Sequence, residues 1–364
     1  MRAAILILAI IFPGVVSAQD SASTTAPAPG VTAEDALRTE AAVGPGTASA
    51  QPPRTAATQP PPATQPPPAQ RRRRGSMVGY IMDSTIGNYV RVRFDSGWDN
   101  NAPDRAEFFY AQCGCNDATA PGPGEPGAQD LATSINFQHL VADVQYAVHP
   151  RIAVFGSVPL RFVQPQTFLG ETLNPPQAEN TFESGSGFSD LRAGIKGSIF
   201  ETDDVTLTAL VQGYFPSGDA KEGLGTDHAS FEAALLFQQS LSDRVTVEAQ
   251  FGDWSPIGGS TAGGTDYAGN VLFYGVGSSY EIVNTGRLTF APVVELVGWR
   301  VLGGLQQTTG APPQDAEGTN IVNLKLGGRA NFDDRSSFYV GYGFAMTDAQ
   351  WYDKILRLEY RYSF

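Results

Sequence analysis

From Ile86 to the C-terminal Phe364 the sequence alternates apolar and polar residues with a period of two, and few folds accept that pattern. In the last segment Leu356, Leu358, Tyr360, Tyr362 and Phe364 fall on one face, and Arg357, Glu359, Arg361 and Ser363 on the other. Val90, Val92 and Phe94 alternate with Arg91, Arg93 and Asp95. Leu191, Ala193, Ile195, Gly197 and Ile199 alternate with Asp190, Arg192, Lys196 and Ser198. A helix would set each charge beside an apolar neighbour, and only a strand separates them. The expectation is an all-β chain.

Twelve such segments are readable, at 86–95, 134–148, 151–163, 188–200, 203–215, 227–241, 244–255, 267–283, 287–302, 318–332, 335–347 and 350–364. Most exceed the ~10 residues that cross a bilayer at a tilt. Short turns follow every second segment, at His149-Pro150, Thr202-Asp203, Ser242-Asp243, Asn284-Thr285-Gly286 and Asp333-Asp334. Longer connections lie between them at 96–133, 164–187, 216–226, 256–266 and 303–317. The connection at 348–349 breaks the rule, being short where a long one is due. An even strand count with alternating short and long connections is the pattern of an up-and-down transmembrane β-barrel of the outer membrane. It predicts both termini in the periplasm. Trp98, Trp254, Trp299 and Trp351 each stand where a strand meets a long connection, as indole prefers the membrane boundary. Strict parity turns the last three inward, and the sequence leaves open whether they line the mouth or bulges shift their register.

Composition agrees. Only 17% of the 364 residues are charged, against 41% hydrophobic and 10% aromatic. After residue 18 no apolar run reaches spanning length, so any membrane crossing is made by strands. The first 18 residues read as a secretory signal: Arg2, an apolar run from Ala3 to Phe12, and Val16-Ser17-Ala18 before the cut. Residues 19–75 are rich in Pro, Ala, Thr and Gln and read as a disordered, extended spacer. They end in Arg71, Arg72, Arg73 and Arg74, read as a solvated charge run. Residues 76–364 are the expected barrel. Residues 1–75 hold four acidic and seven basic side chains, leaving 33 acidic and 17 basic in the remainder. That balance argues against nucleic acid as a partner.

Gly187-Phe188-Ser189-Asp190-Leu191-Arg192-Ala193-Gly194-Ile195-Lys196 resembles a signature strand of the outer-membrane barrel family named after the MetA pathway of phenol degradation. Tyr214-Phe215-Pro216-Ser217-Gly218-Asp219 resembles the strand end and loop that follow it there. The resemblance spans roughly residues 130–364. It implies a transporter-like role in the outer membrane, with hydrophobic or aromatic compounds as solutes. The ending at Tyr360, Tyr362 and Phe364 is similar to the signal read by the barrel-assembly machinery. The stretch Pro103 to Cys115 lies outside the resemblance and is similar only to uncharacterised bacterial barrels.

Parity assigns the enclosed face. Arg91, Arg93, Arg161, Arg192, Lys196, Lys325, Arg329, Arg357 and Arg361 point inward, with Asp95, Asp143, Asp190, Glu232, Glu248, Glu295 and Glu359. The sixth, seventh and ninth segments supply Glu232, Glu248 and Glu295 without a base. The tenth, twelfth, first, third and fourth supply the bases. In a closed ring an acidic arc faces a mainly basic one. Either the arcs stand apart across water and select polar solutes, or they bridge directly and fill the interior. Tyr89, Phe137, Phe155, Tyr214 and Tyr339 add inward bulk.

Other chemistry is weakly marked. His139, His149 and His228 are the only histidines, and none sits in a recognisable nucleophile–base setting. No enzyme, metal site or cofactor is expected. Cys113-Gly114-Cys115 reads as a local disulfide clip in an oxidising envelope, and Asp99-Asn100-Asn101 with Asp104 as an Asx-rich turn. The expected partners are outer-membrane lipid, the assembly machinery and a small-molecule solute. Two other readings remain: a closed structural barrel tethered through 19–75 to the cell wall or a periplasmic partner, and an outer-membrane lipid hydrolase.

Overall fold

The computed structural model describes residues 75–101, 132–168, 171, 183–220, 222–226, 228–258, 261–262, 265–266, 268–306, 314–333 and 335–364. The signal segment, the Pro-rich segment through Arg74, Asp104, Cys113 and Cys115 lie outside them.

Among the described residues eighteen strands follow in chain order: β1 (Tyr89–Asn100), β2 (Ala132–His149), β3 (Ile152–Phe168), β4 (Gly185–Phe188), β5 (Leu191–Glu201), β6 (Val205–Phe215), β7 (Ala229–Ser240), β8 (Val245–Ile257), β9 (Thr261–Ala262), β10 (Thr265–Asp266), β11 (Val271–Tyr280), β12 (Val283–Asn284), β13 (Leu288–Val301), β14 (Leu305–Gln306), β15 (Gln314–Asp315), β16 (Asn320–Phe332), β17 (Ser336–Ala345) and β18 (Lys354–Ser363). Twelve of them form the wall: β1, β2, β3, β5, β6, β7, β8, β11, β13, β16, β17 and β18. Each pairs antiparallel with its sequence neighbour. The ring closes where β1 pairs with β18, Tyr89 opposite Ser363 and Trp98 opposite Lys354. The chain is therefore an all-β, transmembrane antiparallel barrel of twelve strands. Closure satisfies every edge, which lipid demands.

Alternation along each strand sorts the two faces. Val92 is 49% exposed and Ile195 also 49%, while Lys196 beside it is 4% exposed. The exposed residues form an apolar exterior; the buried polar ones line an enclosed lumen. Side chains set the tight turns. The Thr202 hydroxyl accepts from Val205 N at 3.0 Å, and the Ser242 hydroxyl from Val245 N at 3.1 Å. Asn284 Oδ1 accepts from the N–H of Gly286, whose φ of +83° suits glycine.

Four expectations need correction. The first strand starts at Tyr89 rather than Ile86, and residues 75–88 ahead of it turn into the lumen. The fourth segment is broken: β4 and β5 flank Ser189-Asp190 and both pair with β3. The last connection spans residues 346–353, because β17 ends at Ala345 and β18 begins at Lys354; the short–long alternation is thus unbroken. A register shift between Ser198 and Phe200 leaves both Ile199 and Phe200 facing outward.

At the long-loop end the lumen is packed with apolar side chains. Ile135, Phe137, Trp254, Val271, Ile321 and Trp351 form one buried cluster. Trp254 and Trp351 are inward, and Trp299 meets Trp351 edge-on with ring centroids 5.0 Å apart. Trp98, half-buried on β1, is the remaining indole.

Candidate functional site

The site is the lumen itself and the segment that enters it. Residues 76–83 run between the two charged arcs and are held mainly through their backbone. On the acidic side Glu248 Oε1 accepts from Met77 N at 2.8 Å and Val78 N at 3.3 Å. Glu295 accepts from three successive amides, Gly79, Tyr80 and Ile81, at 3.0, 2.9 and 2.9 Å. Gln250 Oε1 accepts from Met82 N at 2.8 Å. On the basic side Arg329 donates to Met77 O at 2.9 Å and Val78 O at 2.6 Å. Arg357 donates to Gly79 O at 2.6 Å, and Arg361 to Ser76 O at 3.0 Å. The backbone thus presents its donors to carboxylates and its acceptors to guanidiniums. Bonds to ionised groups are the strong kind.

Side chains complete the fit. Val78 and Ile81 pack against Val293, Val297 and Tyr339. The Tyr80 ring lies between two cations, Lys325 Nζ at 4.2 Å and Arg357 Cζ at 4.1 Å from its centroid. Asp83 receives Arg361 Nη1 at 2.7 Å, and its carbonyl receives Lys196 Nζ at 2.7 Å. Gly79 is required by close approach: a Cβ there would stand 2.1 Å from Tyr339 Cε1. Past Asp83 the chain returns to β1 through Ser84 O, which accepts from Thr208, and Thr85 O, which accepts from Gln145.

The sixteen inward charges have further contacts that divide by role. Arg91 pairs with Asp143 at 2.9 Å, and Arg329 with Glu359 at 2.9 Å. Arg357 grips both oxygens of Asp95, at 2.6 and 2.8 Å. Glu232 accepts from Tyr214 O–H at 2.6 Å and Gln212 Nε2 at 2.8 Å. Asp190, at the break between β4 and β5, is a loop clip: it accepts from Gly218 N at 3.0 Å, Thr226 N at 2.9 Å and the Thr226 hydroxyl at 2.8 Å. Arg161 donates to His139 Nε2 and Gly223 O. Lys325 donates to the Tyr352 hydroxyl at 2.6 Å. Arg93 and Arg192 face a luminal cavity of ≈ 230 Å³ beside the segment. Direct bridging, the second sequence reading, holds within the basic arc, at Arg91–Asp143, Arg329–Glu359 and Arg357–Asp95, and, among the described residues, not between the two arcs. The arcs are bridged by a third party, the backbone of the same chain.

The histidines occupy separate places. His139 is buried against Phe137 and bonded by Arg161. His149 Nδ1 accepts from Arg151 N in its turn. His228 bonds Thr226 O and lies edge-on to Trp254. At the other end of the chain, Phe364 N donates to Asn88 O at 3.1 Å, tying the terminus to the base of the segment. What the sequence reading missed is the segment, together with Gln250, Gln145, Thr208 and Tyr352, uncharged partners that a survey of charges passes over. One signal was available. Met77-Val78-Gly79-Tyr80-Ile81-Met82 is apolar, without the Pro-rich composition before it or the alternation after it.

No protein-family model matches the chain, and no curated protein is similar to it. Solved structures similar to it include the COG4313 outer membrane channel from Pseudomonas putida F1, at 14% identity and a TM-score of 0.46, covering 77% of this chain and 96% of that one. LpxR from Salmonella typhimurium is similar at 11% identity and a TM-score of 0.40, covering 76% and 100%. The NanC porin is similar at 10% identity and a TM-score of 0.38, covering 76% and 99%.

Proposed function

We propose that this outer-membrane barrel gives passage to small solutes, with residues 75–88 as the gate that must leave the lumen. One observation carries the reading: the segment meets the wall chiefly through backbone hydrogen bonds to charged side chains, at 2.6 to 3.3 Å. Water can replace each of these contacts when the segment withdraws. A permanently filled barrel would be served better by apolar packing, since buried ionic groups are often neutral or costly against a hydrophobic core. The segment continues directly into residues 19–74, so a load on that stretch would act on the gate. The resemblance around Gly187–Lys196 suggests hydrophobic or aromatic solutes and membership of the phenol-degradation barrel family. His139, held by Arg161, does not favour a hydrolase.

Single-channel recording tests the proposal. The full chain in a planar bilayer should be mostly closed, and the Glu248→Gln/Glu295→Gln variant should open more often. A folded double variant with no channel events contradicts it. The apolar cluster around Trp254 and Trp351 favours a second reading, a closed barrel tethered through residues 19–75. In that case deleting 19–74 would weaken the envelope without altering solute uptake.

A further inference from the structure

The luminal space left beside the segment is a cavity of ≈ 230 Å³, bounded by the segment, β1, β5 and β6 among others. Its charges do not balance locally. Arg91 is matched by Asp143 and Arg357 by Asp95. Arg93 also reaches Asp95 Oδ2, at 3.2 Å, but both oxygens of that carboxylate already accept from Arg357. The Arg93 Nε is buried without a hydrogen-bond partner among the described residues. Arg192 is more isolated. Its guanidinium lies over the Tyr214 ring, Cζ 4.9 Å from the centroid, and its Nε is also buried without a partner. The neighbouring acid, Glu232, already accepts from Tyr214 and Gln212. Arg93 thus shares Asp95 with Arg357, and the acid nearest Arg192, Glu232, is engaged by two neutral donors, so both guanidiniums border the cavity with hydrogen-bonding capacity to spare. A charge removed from water calls for a counter-charge. The lining is mixed, and Phe155, Phe273 and Trp299 give it apolar surface beside Glu232 and Gln212.

We propose that this cavity binds a small organic carboxylate. The planar fork of Arg192 suits bidentate capture of a carboxylate, with Arg93 as the second donor. The apolar surface takes the body of the ligand. Liquid water occupies about 30 Å³ per molecule, so the space holds about eight such volumes, the size of a small monocarboxylate such as benzoate. The inference deepens the passage reading by naming a solute class, and rests on it only for the step from binding to transport.

Trp299 lines the cavity and reports on it. Benzoate titrated into the full-length folded protein in detergent should change tryptophan emission saturably, and Trp299→Phe should remove the change. Arg192→Gln should weaken benzoate binding at least tenfold. Benzyl alcohol, of similar shape without the charge, should bind at least tenfold more weakly, and so should acetate, which lacks the body. No saturable change, equal binding of benzyl alcohol, or unchanged affinity in Arg192→Gln each overturns the site; equal binding of acetate overturns its apolar half. If Arg192→Gln does not fold, Arg192→Lys keeps the charge, loses the fork and should still lower the affinity. Binding is read without a membrane potential. Benzoate binding in a barrel that never conducts would therefore sink passage and leave the site, and the converse would do the reverse.

Discussion

Two halves of the lumen wall carry similar charge and resolve it differently. Along β8, β13, β16 and β18, Glu248, Glu295, Arg329 and Arg361 bond the backbone of residues 76–83. Along β1, β2 and β5, Arg91 and Asp143 pair with each other, and Arg93 and Arg192 border a cavity. Luminal charge alone therefore does not report whether a barrel is open. What decides is the nature of the partner: chiefly a tethered polypeptide in one half, and chiefly wall side chains and an exchangeable space in the other, where Lys196 still reaches Asp83 O.

Substitutions can break this contrast. The largest effect should come from Glu295→Ala, which strips the acceptor from three segment amides and the Tyr339 hydroxyl. Breaking a buried charged contact costs about 3–5 kcal/mol, so the segment should become cleavable by added protease while the barrel stays folded. Gly79→Ala should follow, at about 1–3 kcal/mol for overpacking against Tyr339. Tyr339→Ala in the same chain should restore much of the loss, read as protease resistance in a double-mutant cycle. Asp190→Asn should cost about 1–2 kcal/mol through weakened bonds to a charged acceptor. Its effect should stay in the connection after β6, as raised amide exchange at Gly218 and Thr226. Arg93→Gln should be the mildest for stability, about 1 kcal/mol or less, the scale of one hydrogen bond, because Arg357 already bonds both oxygens of Asp95 and Arg93 Nε makes no hydrogen bond among the described residues. A large loss of thermal stability in that variant would mean that the two halves are alike.

The wall was legible because a strand's side-chain period is two. Arg91, Glu295 and Lys325 can be assigned inward from spacing alone, whereas the sequence left the indoles open, and Trp351 stands in a connection where spacing says nothing. The gate was not. Residues 75–88 have no period, and their contacts are made by backbone groups that carry no sequence identity. Gly79 and Glu295 stand 216 residues apart. The excess of carboxylates on β7, β8 and β13 was the visible half of that interaction, and it did not say that the donors were amides. The break at Ser189-Asp190 was missed for another reason: the sequence reading ran one strand across it, whereas Phe188 and Leu191 both face outward with Ser189 and Asp190 buried between them.

Hydrogen–deuterium exchange of the membrane-embedded full chain tests the central claim most directly. The amides of Met77 through Met82 should exchange as slowly as those of the barrel strands, since every one donates to a luminal carboxylate or amide oxygen. Exchange of those six amides at the rate of an unstructured peptide, with the strands protected, would show that the segment does not occupy the lumen and would contradict the account.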